Sequence, residues 1–295
     1  MNKFKFQILG TVSVLIIVII TILVSLSYTS FKSESVELNK TLLHEKNATI
    51  EAGLVDKFNS YKEVLSSVHV SVSDINTGGL SLNAITQLKT LFRAQNTISD
   101  GVYLFTKQGD IYNVNGEKLN FNVKALDRAY YNAIFNEGSA FFVSPPFKSA
   151  VTGKKVLGMA YKINNSVAVL SNLYLEIVLK ASVNRKDMFM YTSDGTILIS
   201  PYPELIDKNI FTERPLYKQF NTSNPELSYT AKVNAEDVAF TSFWGTLDVT
   251  GWSYVTYIRD SVIEKGADSQ LTSDIIAGAI SLIVAVLILL VVVDK

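Results

Sequence analysis

Arg128, Tyr130 and Tyr131 fall within four consecutive residues, and their types suit recognition of a small charged molecule. An arginine guanidinium is a planar fork of donors matched to a carboxylate or phosphate, and the pairing strengthens where a pocket wall excludes water. The tyrosines add apolar surface with polar tips, and Tyr103, in a separate strand-like run, can close the opposite side. Glu176 can meet a ligand ammonium. Because Lys148 adds no negative charge, the set favours an anion over a zwitterion. Each residue also has an architectural reading. Arg128 can pair with Asp127 or Glu176. Successive helical residues point about 100° apart, so one of the two tyrosines belongs to the core. Glu176 alternates with apolar neighbours as an outward residue of a strand would.

Other chemistries are poorly supplied. The 295 residues contain no Cys and only two His, which removes thiolate zinc sites, iron–sulfur clusters, Cys nucleophiles and most histidine constellations. His44 lies beside Glu45 and Lys46 on a charged stretch and reads as solvated. His69 precedes Val70-Ser71-Val72 and reads as packed against a sheet or a partner helix. There is no phosphate loop, Gly-x-Ser-x-Gly elbow or glycine-rich dinucleotide turn, so no catalytic residue, metal or cofactor is expected. The 27 Lys+Arg balance 27 Asp+Glu, and without a basic excess nucleic acid is not expected as a partner.

The elements that hold these residues begin and end in lipid-like sequence. Ile8 to Leu26 has 14 apolar residues in 19, Ile275 to Val293 has 17 in 19, and neither carries a charge. Nineteen helical residues reach about 28 Å, close to the hydrocarbon thickness of a bilayer. The first run exceeds a signal-peptide core and lacks a clear cleavage site, so it reads as an uncleaved anchor. The second has no polar side to turn to water. Lys3 and Lys5 place the amino terminus in the cytoplasm, which leaves residues 27–274 outside with 24 basic and 26 acidic side chains. A cysteine-free outer part of this size fits the bacterial periplasm, and the expected location is the inner membrane, crossed twice. The sequence stops at Lys295, so an output is expected on a partner or in a continuation.

Between the spans, Leu43, Ile50, Leu54, Phe58, Tyr61, Leu65, Val68 and Val72 recur at helical spacing, predicting one helix of about 40 residues that ends at Asn76-Thr77-Gly78-Gly79. Val36, Leu43 and Ile50 lie at heptad spacing and predict a homodimer along it. A shorter helix is expected around Ile85–Phe92. Val102–Phe105 and Ile111-Tyr112 then form a hairpin turning at Gly109. A second hairpin turns at Gly195, 86 residues later, with Thr106 matching Thr192 and Ile111 matching Ile197. That register argues for two copies of one α/β unit. A helix over 126–136 and strands over 140–144, 156–163 and 172–179 complete the first copy; strands near 226–233, 238–244 and 252–258 belong to the second.

This order resembles the double Cache (dCache) family of bacterial extracytoplasmic sensor domains, found in chemoreceptors, histidine kinases and diguanylate cyclases. The likeness rests on the hairpins at Gly109 and Gly195, Arg128-Ala129-Tyr130-Tyr131, Thr152-Gly153-Lys154, Ser200–Leu205 and Thr250-Gly251-Trp252. It covers about residues 30–270. It implies an α/β fold of a long N-terminal helix and two tandem PAS-like antiparallel-sheet units between two transmembrane helices. The implied segments are a cytoplasmic tail (1–7), a span (8–26), a long helix (27–75), a membrane-distal ligand-binding unit (76–182), a membrane-proximal unit (183–262), a juxtamembrane helix (263–274), a span (275–293) and a cytoplasmic end (294–295). In the family's amino-acid-binding members the helix carries Arg-x-Trp-Tyr, the next hairpin Tyr-x-Asp, and the closing strand an Asp. The matching positions here are Arg128, Tyr130 and Tyr131; Phe147, Lys148 and Ser149; and Glu176. The implied function is a receptor whose distal unit binds a small molecule and shifts a helix toward a cytoplasmic output. The competing readings are an anchored binding or scaffold protein, with a filled distal pocket and an exposed apolar patch, and an ectoenzyme, for which clustered acid, base or metal groups are missing. The absence of cysteine makes topology directly testable. We expect Lys148→Cys in membrane-embedded protein to react with an impermeant maleimide added outside; labelling only after the membrane is opened would reverse the orientation.

Overall fold

The computed structural model describes residues 3–180, 188–233 and 236–294. The chain opens with one helix, α1 (Lys3–Ser66), and closes with another, α6 (Asp260–Asp294), and both are long and apolar enough to cross a membrane. Helix α1 stops short of the residue-75 end that its periodicity predicts. The Ser66 and Ser67 hydroxyls turn back to the carbonyls of Glu63 and Val64, and the β-branched run Val68, Val70, Val72 favours extended backbone. A small hairpin, β1 (Ile75–Asn76) and β2 (Gly79–Leu80), follows, then α2 (Leu82–Gln95), capped by the Ser81 hydroxyl on the Ala84 amide.

The first large sheet contains β3 (Ser99–Thr106), β4 (Ile111–Tyr112), β5 (Phe141–Val143), β6 (Phe147–Lys148), β7 (Lys155–Lys162) and β8 (Val167–Tyr174). Its order is β4-β3-β8-β7-β5, with β6 also on β7, and every pairing is antiparallel. The second contains β9 (Met188–Tyr191), β10 (Ile197–Ile199), β11 (Glu226–Val233), β12 (Glu236–Leu247) and β13 (Trp252–Arg259), in the order β10-β9-β13-β12-β11. The predicted repeat is present in the pairing itself. Phe105 faces Ile111 in the first hairpin and Tyr191 faces Ile197 in the second, each 86 residues on. This is the α/β, tandem antiparallel-sheet fold that the resemblance implies.

Two predicted elements take other forms. The helix expected over 126–136 starts only after Arg128, because Asp127 adopts a left-handed φ of 48°; it is a single turn, α3 (Ala129–Tyr131), continued as a π-turn over Asn132–Asn136. The strand expected over 172–179 ends at Tyr174 and continues as α4 (Leu175–Lys180). Helix α5 (Ile210–Glu213) lies between β10 and β11. The boundary expected at 182–183 lies outside the described residues.

By contacts the chain forms two compact units. One comprises residues 1–46, 226–243 and 256–295; the other comprises 47–225 and 244–255. In the first, α1 and α6 are tied by Ser27 donating to Asp274 (2.7 Å), by the Ser35 hydroxyl donating to the Ile263 carbonyl (2.6 Å) and by Lys32–Glu264 (2.7 Å). Leu43 is buried here and Ile50 in the other unit, while Val36 is half-buried. His44, although exposed, sets its ring edge against Phe243. In the larger unit, Leu54, Phe58 and Leu65 of α1, with Ala84, Leu88 and Leu91 of α2, cover the sheet face carrying Val102, Leu104, Leu157, Met159, Val169 and Leu173. The same core takes in Met188, Met190, Leu198, Leu247 and Trp252 of the second sheet, and Phe58 meets Trp252 edge-on with ring centres 6.0 Å apart. His69, predicted to pack, is exposed; its backbone amide and carbonyl are bonded to the Gln87 side chain.

Phe58→Ala, which empties a fully buried site joining both sheets, is expected to cost about 3–5 kcal/mol of unfolding free energy. Val72→Ala, at an exposed position, is expected to stay within about 0.5 kcal/mol. Denaturant unfolding of the full chain in lipid nanodiscs measures both.

Candidate functional site

The face of the first sheet opposite α1 is also covered. Tyr103 and Phe105 on β3, with Ala160, Ala168 and Leu170 on β7 and β8, pack under Ile111, Val123, Tyr130, Tyr131 and Ile134. Alternation along β8 sends Val169, Ser171 and Leu173 to the helix side and Leu170 and Asn172 to this one. A cavity remains between this face and the covering segment, lined among others by Tyr103, Arg128, Tyr130, Phe147, Ser149, Val151 and Asn172. Its volume is about 10 Å³, hardly one water molecule.

Arg128 precedes the α3 turn, and its guanidinium stands over the Phe147 ring, 5.1 Å from the centre. Among the described residues no carboxylate lies within ion-pair distance of it. The architectural partner Asp127 accepts instead from the Asn132 amide (2.7 Å). Tyr130 is buried and lies against Phe105 and Phe147, at 5.5 and 5.9 Å between ring centres. Tyr131 turns away: its hydroxyl donates to the Lys107 carbonyl (2.7 Å) and its ring packs on Phe135. Glu176 lies in the first turn of α4, exposed, and lines a separate cavity of about 700 Å³ with Lys154, Lys155 and Tyr174. The fold therefore brings Tyr103, Arg128, Tyr130, Phe147 and Ser149 together and leaves Tyr131 and Glu176 outside. Lys148 is exposed on β6.

Asn172 adds an acceptor to the wall, and Asp100 is bonded to the wall residue Ser149. Asn172 is 6% exposed, and its side-chain oxygen has no hydrogen-bond partner. Asp100 accepts from the Ser149 hydroxyl (2.5 Å) and from the Thr152 hydroxyl. It owes its position to a bulge: Ser99 faces Leu173 and Gly101 faces Asn172, so Asp100 is the extra residue. A polar residue at an inward position of Val167–Tyr174 was a readable signal for Asn172; nothing local signalled Asp100. Burial, then Asp100 and Tyr174, push the Tyr103 hydroxyl up to about 12, and burial raises Tyr130 as well.

The fold is shared with solved ligand-binding domains of bacterial chemoreceptors. The ligand-binding domain of the Pseudomonas fluorescens chemoreceptor CtaA, in complex with L-isoleucine, is 15% identical with a TM-score of 0.59, over 80% of this chain and 98% of that one. That of the Pseudomonas aeruginosa amino acid chemoreceptor PctB, in complex with L-Gln, is 15% identical with a TM-score of 0.57, over 81% and 97%. The sensory domain of the Campylobacter jejuni chemoreceptor Tlp3, with isoleucine bound, is 15% identical with a TM-score of 0.55, over 78% and 97%. No protein-family model and no curated protein matches the sequence, so backbone geometry carries the likeness.

Tyr103 gives the site a pH signature. Its hydroxyl stays protonated to about 12, whereas an unfolded tyrosine ionises near 10.0, so its contribution to stability is complete below pH 10 and is lost as pH rises through about 12. Tyr103→Phe is expected to flatten the fall of melting temperature over that range, which pH-resolved thermal unfolding will register.

Proposed function

We propose that this chain is the input part of a transmembrane receptor whose distal unit takes a small carboxylate-bearing molecule at Arg128, outside the cytoplasm, and passes its occupancy through the membrane helices to a cytoplasmic output. The observation that carries the reading is a half-buried guanidinium facing a cavity with no carboxylate partner among the described residues, in a fold that in CtaA, PctB and Tlp3 holds amino acids. A buried wall raises the strength of an arginine–carboxylate fork, and Phe147 under the guanidinium orients it. The two long apolar helices support an inner-membrane location with the sensor in the periplasm. No residue group at the cavity suggests catalysis.

Signalling requires more than affinity. A ligand shifts a two-state protein only by the ratio of its affinities for the two states, about 1.4 kcal/mol for each factor of ten. The cavity of about 10 Å³ cannot hold a ligand as it stands, so occupancy must come with movement of its wall. The same fullness favours a second reading, an anchored scaffold that binds a periplasmic protein and has no small-molecule site.

Thermal unfolding of the full chain in nanodiscs against a panel of amino acids, organic acids and amines separates the two. We expect some carboxylate-bearing compounds to stabilise the wild type, and Arg128→Ala to weaken them at least tenfold, as loss of a buried charged partner requires. Stabilisation by amines and not by carboxylates would overturn the reading, and no stabilisation by any compound would favour the scaffold.

A further inference from the structure

The cavity of about 700 Å³ beside α4 shares none of its described lining residues with the Arg128 cavity. Its volume falls within the roughly 300–1,000 Å³ of small-molecule sites. The apolar part of its wall comes from two places in the chain. Leu175, Ile177 and Leu179 belong to α4, whereas Leu198 on β10 and Ile206 come from the second copy of the repeat. Ile177 and Ile206 are each 38% exposed, so large aliphatic side chains from distant segments leave uncovered surface at one cavity. The polar part is a pair of consecutive lysines. Lys155, at the start of β7, is already bound to the Asp207 carboxylate. Lys154 stands over the Tyr174 ring, 4.9 Å from its centre, and among the described residues no carboxylate lies within ion-pair distance of it. Glu176 is the one carboxylate among the described lining residues, against two ammonium groups.

We propose that this cavity is a second ligand site, independent of Arg128, for a small amphipathic anion: one carboxylate at Lys154, with an aliphatic or aromatic body against Tyr174, Ile177 and Ile206. The wall selects that class by excluding its neighbours. A wholly polar anion leaves the two isoleucines wet, a neutral hydrophobe leaves Lys154 without a counter-charge, and an amine meets two like charges. Because Tyr174 holds the Lys154 ammonium through its ring face, the three N–H donors of that group remain available to ligand oxygens. The site also touches the long helix through one intermediary. The Lys57 ammonium of α1 donates to the Val178 carbonyl of α4 (2.8 Å), and the residues on either side of Val178 line the cavity. A molecule seated there rests on a helix fastened to α1.

Calorimetry on the full chain in nanodiscs, with empty nanodiscs subtracted, tests the site with octanoate, 4-phenylbutanoate and indole-3-acetate, each beside the alcohol and the amine of the same skeleton. We expect at least one acid to bind, with its alcohol about fivefold weaker and its amine weaker still. Lys154→Gln should weaken that acid about fivefold, and Ile206→Glu, at a half-exposed position, about tenfold or more. Asp207→Asn keeps a residue type that tolerates the left-handed backbone there (φ 72°) and frees Lys155, so it should tighten the acid about threefold. Arg128→Ala should leave the affinity unchanged, and hydrogen exchange at the amides of residues 177–179 should slow on binding. The inference falls if no acid binds, if an amine binds as tightly as its acid, or if exchange in α4 is unaltered. It falls also if Lys154→Gln or Ile206→Glu has no effect, or if Asp207→Asn weakens the acid. Loss of binding in Arg128→Ala would put the acid in the other cavity, so that the receptor reading stands and this one is overturned.

Discussion

The larger compact unit depends on one interaction, the apolar stripe of α1 lying against a sheet. Leu54, Phe58 and Leu65 are completely buried, and their partners include β-strand residues from both halves of the repeat. An antiparallel sheet with two apolar faces has to bury both, and an isolated helix of this length gains little from propensity alone. Each element is stable because it covers the other. Phe58 against Trp252 is where this is most concentrated, since one helical side chain meets the core of the second sheet.

With one sheet face sealed by a helix, the other is covered by irregular segments that leave a small cavity. Along β3 and β8 the residues alternate, so Val102, Leu104 and Val169 serve the helix while Tyr103, Leu170 and Asn172 look toward the cavity. The covering on that side is a short turn after Asp127, a π-turn and the Ser149–Lys154 turn, none of which fills the space as regularly as a helix would. Irregular covering over a rigid sheet is a usual setting for a site that must change shape.

The repeat extends beyond the hairpins. The Val123 amide donates to the Gly109 carbonyl, as the Ile210 amide does to that of Gly195, and the Tyr131 amide donates to Arg128, as that of Tyr217 does to Arg214. Arg214 even stands over an aromatic ring, that of Tyr202, as Arg128 stands over Phe147. The copies part in what surrounds the arginine. In the second, Phe189, which matches Tyr103 at the same offset, packs against Tyr202 and Tyr217, whereas in the first Tyr103 lines the cavity with Ser149 and Asn172. One backbone scheme thus supports a small cavity with three polar lining residues in one copy and an aromatic cluster around Phe189 in the other.

Periodicity and spacing were sufficient for much of this chain, because they act over neighbouring residues. The two apolar runs, the stripe from Leu43 to Val68 and the 86-residue match of Gly109 with Gly195 are local patterns, and each reappears as an element or a register. Where long-range packing overrode local preference, sequence reading failed. Asp127 in a left-handed conformation cut the expected helix to one turn, and Tyr174 ended a strand that its composition would have prolonged. The site shows the same division. Arg128, Tyr130 and Phe147 were visible by type, but Glu176 was assigned to a strand that turns into a helix and so left the cavity. Asp100 gained its place only because a one-residue bulge pairs two residues of β3 with one of β8, and that depends on a strand some seventy residues away in the chain.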